Sequence, residues 1–298
     1  MSDVLRSHNF KFQKKYGQNF LTDVKIPRRI SMECTDFVFE DENEPETKAE
    51  SLILEIGPGA GILTKELAKR FERVVAVEID ESLRGVLEES LSGYDNAEVV
   101  FGDIMDKNLH ELLDERRMKN GVKMPVSVCA NLPYYITTPI IMKLLEEYED
   151  FSYITVMVQK EVATRLCASE KDADYGAITA QINLYGTVKR LFTVPSGCFF
   201  PRPKVDSAVI RIKRHNPSLY TSEQMSGASK LIKSAFLTRR KTLANSLSQS
   251  GFDFTRETYA KVALELFGDE AIRGEKLSCT DFVKLYDALS ELGKADKA

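Results

Sequence analysis

Four consecutive residues, Asn131-Leu132-Pro133-Tyr134, follow the apolar run Val126–Ala130. Their types suit one chemical problem. The exocyclic nitrogen of adenine is a poor nucleophile because its lone pair is delocalised into the ring. An Asn side-chain oxygen and a backbone carbonyl can accept its two hydrogens and turn that lone pair towards an electrophile. A following aromatic ring can hold a flipped base by stacking. Attack needs no general base, since the amine can lose its proton after transfer. With a sulfonium methyl donor the positive charge disappears in the transition state, so positioning outweighs charge stabilisation. Asn131, Leu132, Pro133 and Tyr134 are therefore the candidate catalytic residues. The plainer reading is a turn containing proline beside a buried aromatic.

A second group suits a cofactor that carries a nucleoside. Glu55-Ile56-Gly57-Pro58-Gly59-Ala60-Gly61 lies at an expected strand-to-helix turn. Glycine there lets the backbone turn tightly and approach a ligand closely. Glu78 follows Gly57 by 21 residues, at the end of the next expected strand, where a carboxylate can bond ribose hydroxyls. Asp103, in Phe101-Gly102-Asp103-Ile104, follows the third strand and can accept a hydrogen bond from an adenine amino group. Alone, it reads as a helix N-cap. A nicotinamide enzyme would share the glycines and the carboxylate. Its fingerprint is G-x-G-x-x-G, however, and here the third glycine comes one residue early, with Ile at position 62. S-adenosylmethionine has no phosphate to place at a helix N-terminus, and the tighter loop suits it better.

These residues need a scaffold that converges them. From Leu52 the sequence alternates short apolar runs with amphipathic stretches. Strands are expected at Leu52–Ile56, Val74–Val77, Glu98–Phe101, Val126–Ala130 and Tyr153–Val158. Helices are expected to Arg70, over Glu81–Leu91, near Leu109–Met118, from Thr138 to about Tyr148, and over Glu161–Leu166. Such alternation predicts a parallel sheet covered on both faces. Val188–Val194 and Ala208–Ile212, joined by a Pro-rich connector, predict an antiparallel hairpin at one edge. Beyond Asn216-Pro217 the pattern is helical, with pieces at 223–238, 240–249, 256–267 and 279–292, so a boundary is placed near residue 214. The acidic stretch Glu40–Glu50 reads as a solvated loop.

The composition, 43% hydrophobic and 29% charged in 298 residues, is that of a globular protein of one large domain or one plus a small one. No apolar run of about 18 residues predicts a membrane helix, and the basic N-terminus lacks the apolar core of a signal peptide. Five scattered cysteines and three histidines have no metal-ligand or disulfide spacing. We expect reduced cysteines, a cytoplasmic location and no metal. The net charge is −4, but it is unevenly spread. Residues 1–29 hold seven Lys and Arg against two acids, and residues 185–250 hold twelve against two, whereas residues 33–50 carry eight acids and one Lys. A basic face on an acidic protein suits nucleic acid. Arg202, Lys204, Arg239, Arg240 and Lys241 are the candidate RNA contacts, with Phe236 and Leu237 read as core beneath the last three.

The same motifs resemble a specific family, the small-subunit ribosomal RNA adenine dimethyltransferases of the KsgA type. The similarity covers nearly the whole chain. It runs through Lys14-Lys15-Tyr16-Gly17-Gln18-Asn19-Phe20-Leu21, the glycine loop, Glu78, Asp103, Asn131-Leu132-Pro133-Tyr134, Gln159-Lys160-Glu161-Val162, Tyr175-Gly176, and Phe200-Pro201-Arg202-Pro203-Lys204-Val205-Asp206-Ser207. It ends with Ala235–Leu243 and Arg273-Gly274-Glu275-Lys276-Leu277-Ser278. The resemblance implies a Rossmann-like class I methyltransferase sheet, mostly parallel, with a small C-terminal all-helical domain. It implies residues 1–214 as an S-adenosylmethionine-dependent methyltransferase domain and 215–298 as a helical RNA- or ribosome-binding domain. Gln18, Asn19, Leu21, Gly57, Gly59, Glu78, Asp103 and Asn131 would contact the cofactor or its pocket. The implied activity is two methylations on each of two adjacent adenosines near the 3′ end of small-subunit ribosomal RNA, on an assembling 30S subunit, with S-adenosylhomocysteine as product. A monomer is expected. The rivals are the large-subunit adenine methyltransferases of macrolide resistance, a non-catalytic assembly factor, and a nicotinamide oxidoreductase. The acidic insertion near 40–50 departs from the family pattern, far from the motifs.

Overall fold

The computed structural model describes residues 18–295 except 44, 134, 239, 249–251 and 253. Arg6, Lys11, Lys14 and Lys15 of the basic N-terminal segment lie outside the described residues. The strands are β1 (Phe20–Leu21), β2 (Ala49–Ile56), β3 (Phe71–Glu78), β4 (Ala97–Phe101), β5 (Met118–Lys119), β6 (Val122–Lys123), β7 (Val126–Asn131), β8 (Phe151–Gln159), β9 (Gly186–Val194), β10 (Phe199–Phe200) and β11 (Ser207–Arg214). The helices are α1 (Lys25–Met32), α2 (Ile62–Arg70), α3 (Arg84–Leu91), α4 (Leu109–Leu113), α5 (Thr137–Glu147), α6 (Lys160–Leu166), α7 (Ala177–Asn183), α8 (Ser222–Leu237), α9 (Leu243–Leu247), α10 (Arg256–Phe267) and α11 (Cys279–Ala295).

Seven strands form one sheet in the order β4-β3-β2-β7-β8-β11-β9. The first five are mutually parallel, and β11 runs antiparallel to β8. The apolar runs explain the centre. Leu52, Ile53, Leu54, Val74, Val75, Val126 and Val128 have no exposed surface, as strands covered on both faces require. The order has a mechanical consequence. The chain steps outward from β2 to β3 and β4, then returns to the other side of β2 as β7. The crevice at this reversal, outside the C-terminal strand ends, is where open α/β sheets bind ligands.

Two local expectations are corrected. The helix expected to reach Met118 ends at Leu113, and β5 and β6 follow as a hairpin. Asn120 (φ +52°) and Gly121 (φ +79°) form its turn; an Asn-Gly pair adopts the left-handed conformation that such two-residue turns require. The acidic stretch is partly anchored rather than a purely solvated loop. Phe39 is buried, the fully buried Arg70 donates to the Glu42 carbonyl and to Glu66 at 2.8 Å, and Thr47 N–H donates to Glu40 at 2.8 Å.

The described chain divides into two compact units. One runs up to Ala163 and includes Lys189–Arg214; the other joins Thr164–Val188 to the residues from His215 onward. The second unit thus takes in a segment that a single boundary at 214 assigns elsewhere. Its reason is burial. Tyr175, Ala180 and Leu184 share a core with Leu231, Phe282 and Leu289. The Tyr175 hydroxyl donates to the Leu277 carbonyl at 2.9 Å, and the Gln181 amide donates to Ser229 at 2.9 Å.

Within this unit α8 begins with a capping box, Thr221 and Gln224, and packs on α11. Gly227 allows the approach, since a Cβ there would sit 2.0–2.1 Å from ring carbons of Tyr286. That ring is tethered by its hydroxyl to Glu223 at 3.0 Å. Gly227→Ala is therefore expected to destabilise the protein by roughly 1–3 kcal/mol through overpacking, read as a lower Tm. An unchanged Tm would refute this packing argument.

Candidate active site

β2 turns into α2 through Gly57, Gly59 and Gly61, whose φ angles are +73°, +58° and +79°. Side chains are disfavoured at such angles. At Gly59 there is also no room, because a Cβ would lie 2.6 Å from the Phe20 ring. Glu78, at the end of β3, holds this loop. Gly59 N–H donates to its Oε2 at 3.0 Å and Asp80 N–H to its Oε1 at 2.9 Å. Burial pushes the Glu78 carboxyl above its usual range, and these two backbone donors act against that rise. Asp80 accepts in turn from the Gln18 amide at 2.7 Å and from Ser82. Asp103, after β4, accepts from Met105 N–H through Oδ1 at 2.9 Å. It is thus a helix cap and a wall of the cavity at once.

At the end of β7, Asn131 Nδ2 donates to the Asn19 carbonyl at 3.1 Å. With its nitrogen committed, the side chain has Oδ1 left as an acceptor. The Pro133 carbonyl accepts from Ile136 N–H and from the Thr137 hydroxyl, both at 3.2 Å. The Leu132 carbonyl takes no such bond among the described residues. Tyr134 lies outside the described residues. One cavity is lined by Gln18, Asn19, Leu21, Gly57, Gly59, Glu78, Asp103, Asn131, Leu132 and Pro133, all of them singled out from the sequence. Leu21 also belongs to the core cluster with Phe199.

The other candidates lie elsewhere. Arg202 and Lys204 are exposed on the loop after β10, and Arg240 and Lys241 are exposed in the helical unit. None of them lines the cavity, and Arg239 lies outside the described residues. Phe236 packs edge-on to Tyr175, as a core residue would, but Leu237 is 77% exposed, so its expected core role is corrected. α8 ends at Leu237, which lies past the last buried turn.

The lining has a decisive electrostatic character. Its acids that can carry charge are Glu78 and Asp103, and it includes no lysine or arginine among the described residues. A pyrophosphate would meet repulsion there with no cation to offset it. A cationic sulfonium with an ammonium group fits the donor set. S-adenosylmethionine would be held by these carboxyls and the glycine loop, and when bound it supplies an electrophilic methyl group. Among the described residues no group of three or more His, Cys, Asp or Glu is placed to hold a metal ion, and no helix is long and apolar enough to cross a membrane.

The sequence profile described as ribosomal RNA adenine dimethylase matches residues 9–286. The chain belongs to that family. As a ribosomal RNA adenine dimethylase it is an S-adenosylmethionine-dependent methyltransferase with an α/β methyltransferase fold. Its relatives include the ribosomal RNA small subunit methyltransferase A of Lachnoclostridium phytofermentans, 41% identical over 97% of this chain and 95% of that one. The protein of the same name from Lactococcus lactis is 40% identical over 98% and 95%. Among solved structures, a dimethyladenosine transferase from Plasmodium falciparum aligns with a TM-score of 0.73 at 25% identity, covering 92% of this chain and 98% of that one. The 23S rRNA methyltransferase ErmE aligns at 0.65 and 26%, covering 91% and 99%.

Sequence reasoning on this dimethylase overlooked Glu55 as a site residue, though it opens the glycine motif. Glu55 is fully buried, and neither carboxyl oxygen has a hydrogen-bond partner among the described residues. Burial pushes its carboxyl up to about 8; the Thr64 hydroxyl lowers it somewhat, without forming a well-oriented bond, and the Glu78 carboxylate raises it. The folded chain therefore holds this proton more tightly than the unfolded one. Stability from Glu55 is complete below the ordinary carboxyl range and is lost as pH rises through about 8. A shift of that size corresponds to on the order of 5 kcal/mol once fully developed. Glu55→Gln is expected to flatten this dependence, so the Tm of the cofactor-free wild type should fall more steeply between about pH 5 and pH 8. Equal slopes for the two proteins would refute a protonated Glu55.

Proposed function

We propose that this enzyme transfers methyl groups from S-adenosylmethionine to the N6 amines of two adjacent adenosines near the 3′ end of 16S ribosomal RNA, two to each. S-adenosylhomocysteine is the product, the substrate is the assembling 30S subunit, and the enzyme acts as a monomer in the cytoplasm. The observation that carries the chemistry is the orientation of Asn131 on an acidic cavity whose described lining holds no lysine or arginine. Its Oδ1 accepts one amine hydrogen and the Leu132 carbonyl the other, which directs the nitrogen lone pair to the methyl group. Pro133 fixes the turn, and Tyr134 stacks on the base. Gln18, Asn19, Leu21, Gly57, Gly59, Glu78 and Asp103 hold the cofactor. Arg202, Lys204, Arg239, Arg240 and Lys241 contact RNA phosphates. The choice of the small subunit rests on relatives near 40% identity along nearly their whole length, against 26% for the 23S enzyme.

Tritiated methyl transfer onto unmethylated small subunits and, separately, large subunits tests this reading. Label is expected at N6 of two neighbouring adenosines of the small-subunit RNA; label confined to the large subunit overturns it. Two variants separate the roles within the site. Glu78→Ala should weaken cofactor binding about tenfold or more, because a buried bond and the brace of the Gly59 loop are lost together. Asn131→Ala should lower kcat roughly a hundredfold with little change in RNA affinity. Calorimetry and single-turnover kinetics check the pair, and Asn131→Ala turning over at the wild-type rate would refute the lone-pair argument.

A further inference from the structure

β1 and β10 pair antiparallel, with Phe20 opposite Phe200 and Leu21 opposite Phe199. Residues directly opposite in such a pair share one face, and their neighbours share the other. Leu21 and Phe199 are buried in one core cluster, so Phe20 and Phe200 share the face that looks away from it. Phe20 is buried, lines the cavity and presses its ring against Gly59. Phe200 continues that face outward and is 57% exposed. The loop that follows presents Arg202 and Lys204, both exposed, and Tyr135, 65% exposed, borders the same cavity. A single exposed aromatic is unremarkable in itself. An exposed ring that prolongs a cavity wall into a cationic loop is the combination that unpaired nucleic acid uses, with bases on rings and phosphates on cations.

We propose that Phe200 is a stacking platform for the nucleotide next to the target adenosine, with Arg202 and Lys204 holding its phosphates. Phe200 is a positioning residue that touches RNA outside the reacting base. The neighbour is held by a ring face, which every base possesses, so the platform accepts whichever nucleotide adjoins the adenosine being methylated. This inference rests on the proposed activity towards small-subunit RNA.

The test uses the full chain, tritiated S-adenosylmethionine and unmethylated small subunits. Phe200→Ala is expected to raise the KM for subunits about tenfold, with kcat changed less than about twofold and cofactor affinity unaltered by calorimetry. Phe200→Trp should restore the KM, whereas Phe200→Leu, which keeps apolar bulk without a ring face, should not. Three results overturn the platform: a wild-type KM for Phe200→Ala, rescue by Leu equal to that by Trp, or loss of cofactor affinity and Tm in parallel with the KM. Failure of the proposed function looks different. Wild-type enzyme would then leave small subunits unlabelled before any variant is compared, and the platform would fall with it.

Discussion

Two backbone N–H groups, from Gly59 and Asp80, converge on the buried carboxylate of Glu78, and the cavity takes its shape from that convergence. A buried carboxylate without partners is costly, so the glycine loop cannot lift from β3 without stranding it. The constraint then propagates. Asp80 accepts from Gln18, and the neighbouring Asn19 carbonyl accepts from the Asn131 amide. Residues 18 and 19 therefore join the carboxylate proposed to bind ribose to the amide proposed to bind the target amine. The two halves of the proposed site are linked by one short connected set of bonds, anchored at the C-terminal ends of β2, β3 and β7.

That geometry explains why the residues of the candidate site, which line one cavity, could be picked out from the sequence. Gly57, Glu78, Asp103 and Asn131 each follow a short apolar run, and in a parallel sheet the ends of such runs lie side by side. Spacing along the chain thus translated directly into proximity. The order of strands supplied the remainder, because the return of the chain from β4 to the far side of β2 opens the crevice between β2 and β7. The helical C-terminal region was legible for a similar reason, since its 3.6-residue patterning is local.

What escaped was non-local. Glu55 reads as one more residue of a buried strand, and only three-dimensional burial beside Glu78 shows that its carboxyl keeps a proton. The Gln18–Asp80 bond joins positions 62 residues apart, and nothing in either motif announces the other. Thr164–Val188 looks from its position like part of the α/β sequence, but Tyr175 and Leu184 find their apolar partners among the C-terminal helices. Leu237 was misread for the opposite reason: its helix ends there, so an apolar residue faces solvent where periodicity predicted core.

The charge pattern bears on how the enzyme admits RNA at all. The cavity carries carboxyls and no lysine or arginine among its described lining, while the exposed Arg202 and Lys204 sit on the loop after β10. Phosphates are repelled from the first and attracted by the second. A nucleotide brought to such a surface gains most when its backbone stays on the basic loop and only its neutral base enters the acidic cavity. The positive cofactor experiences the reverse preference and belongs inside. Segregated charge therefore does work that no single residue could. On the proposed reading it sorts cation, base and phosphate into three places and favours an approach in which the base alone leaves the strand for the methyl donor.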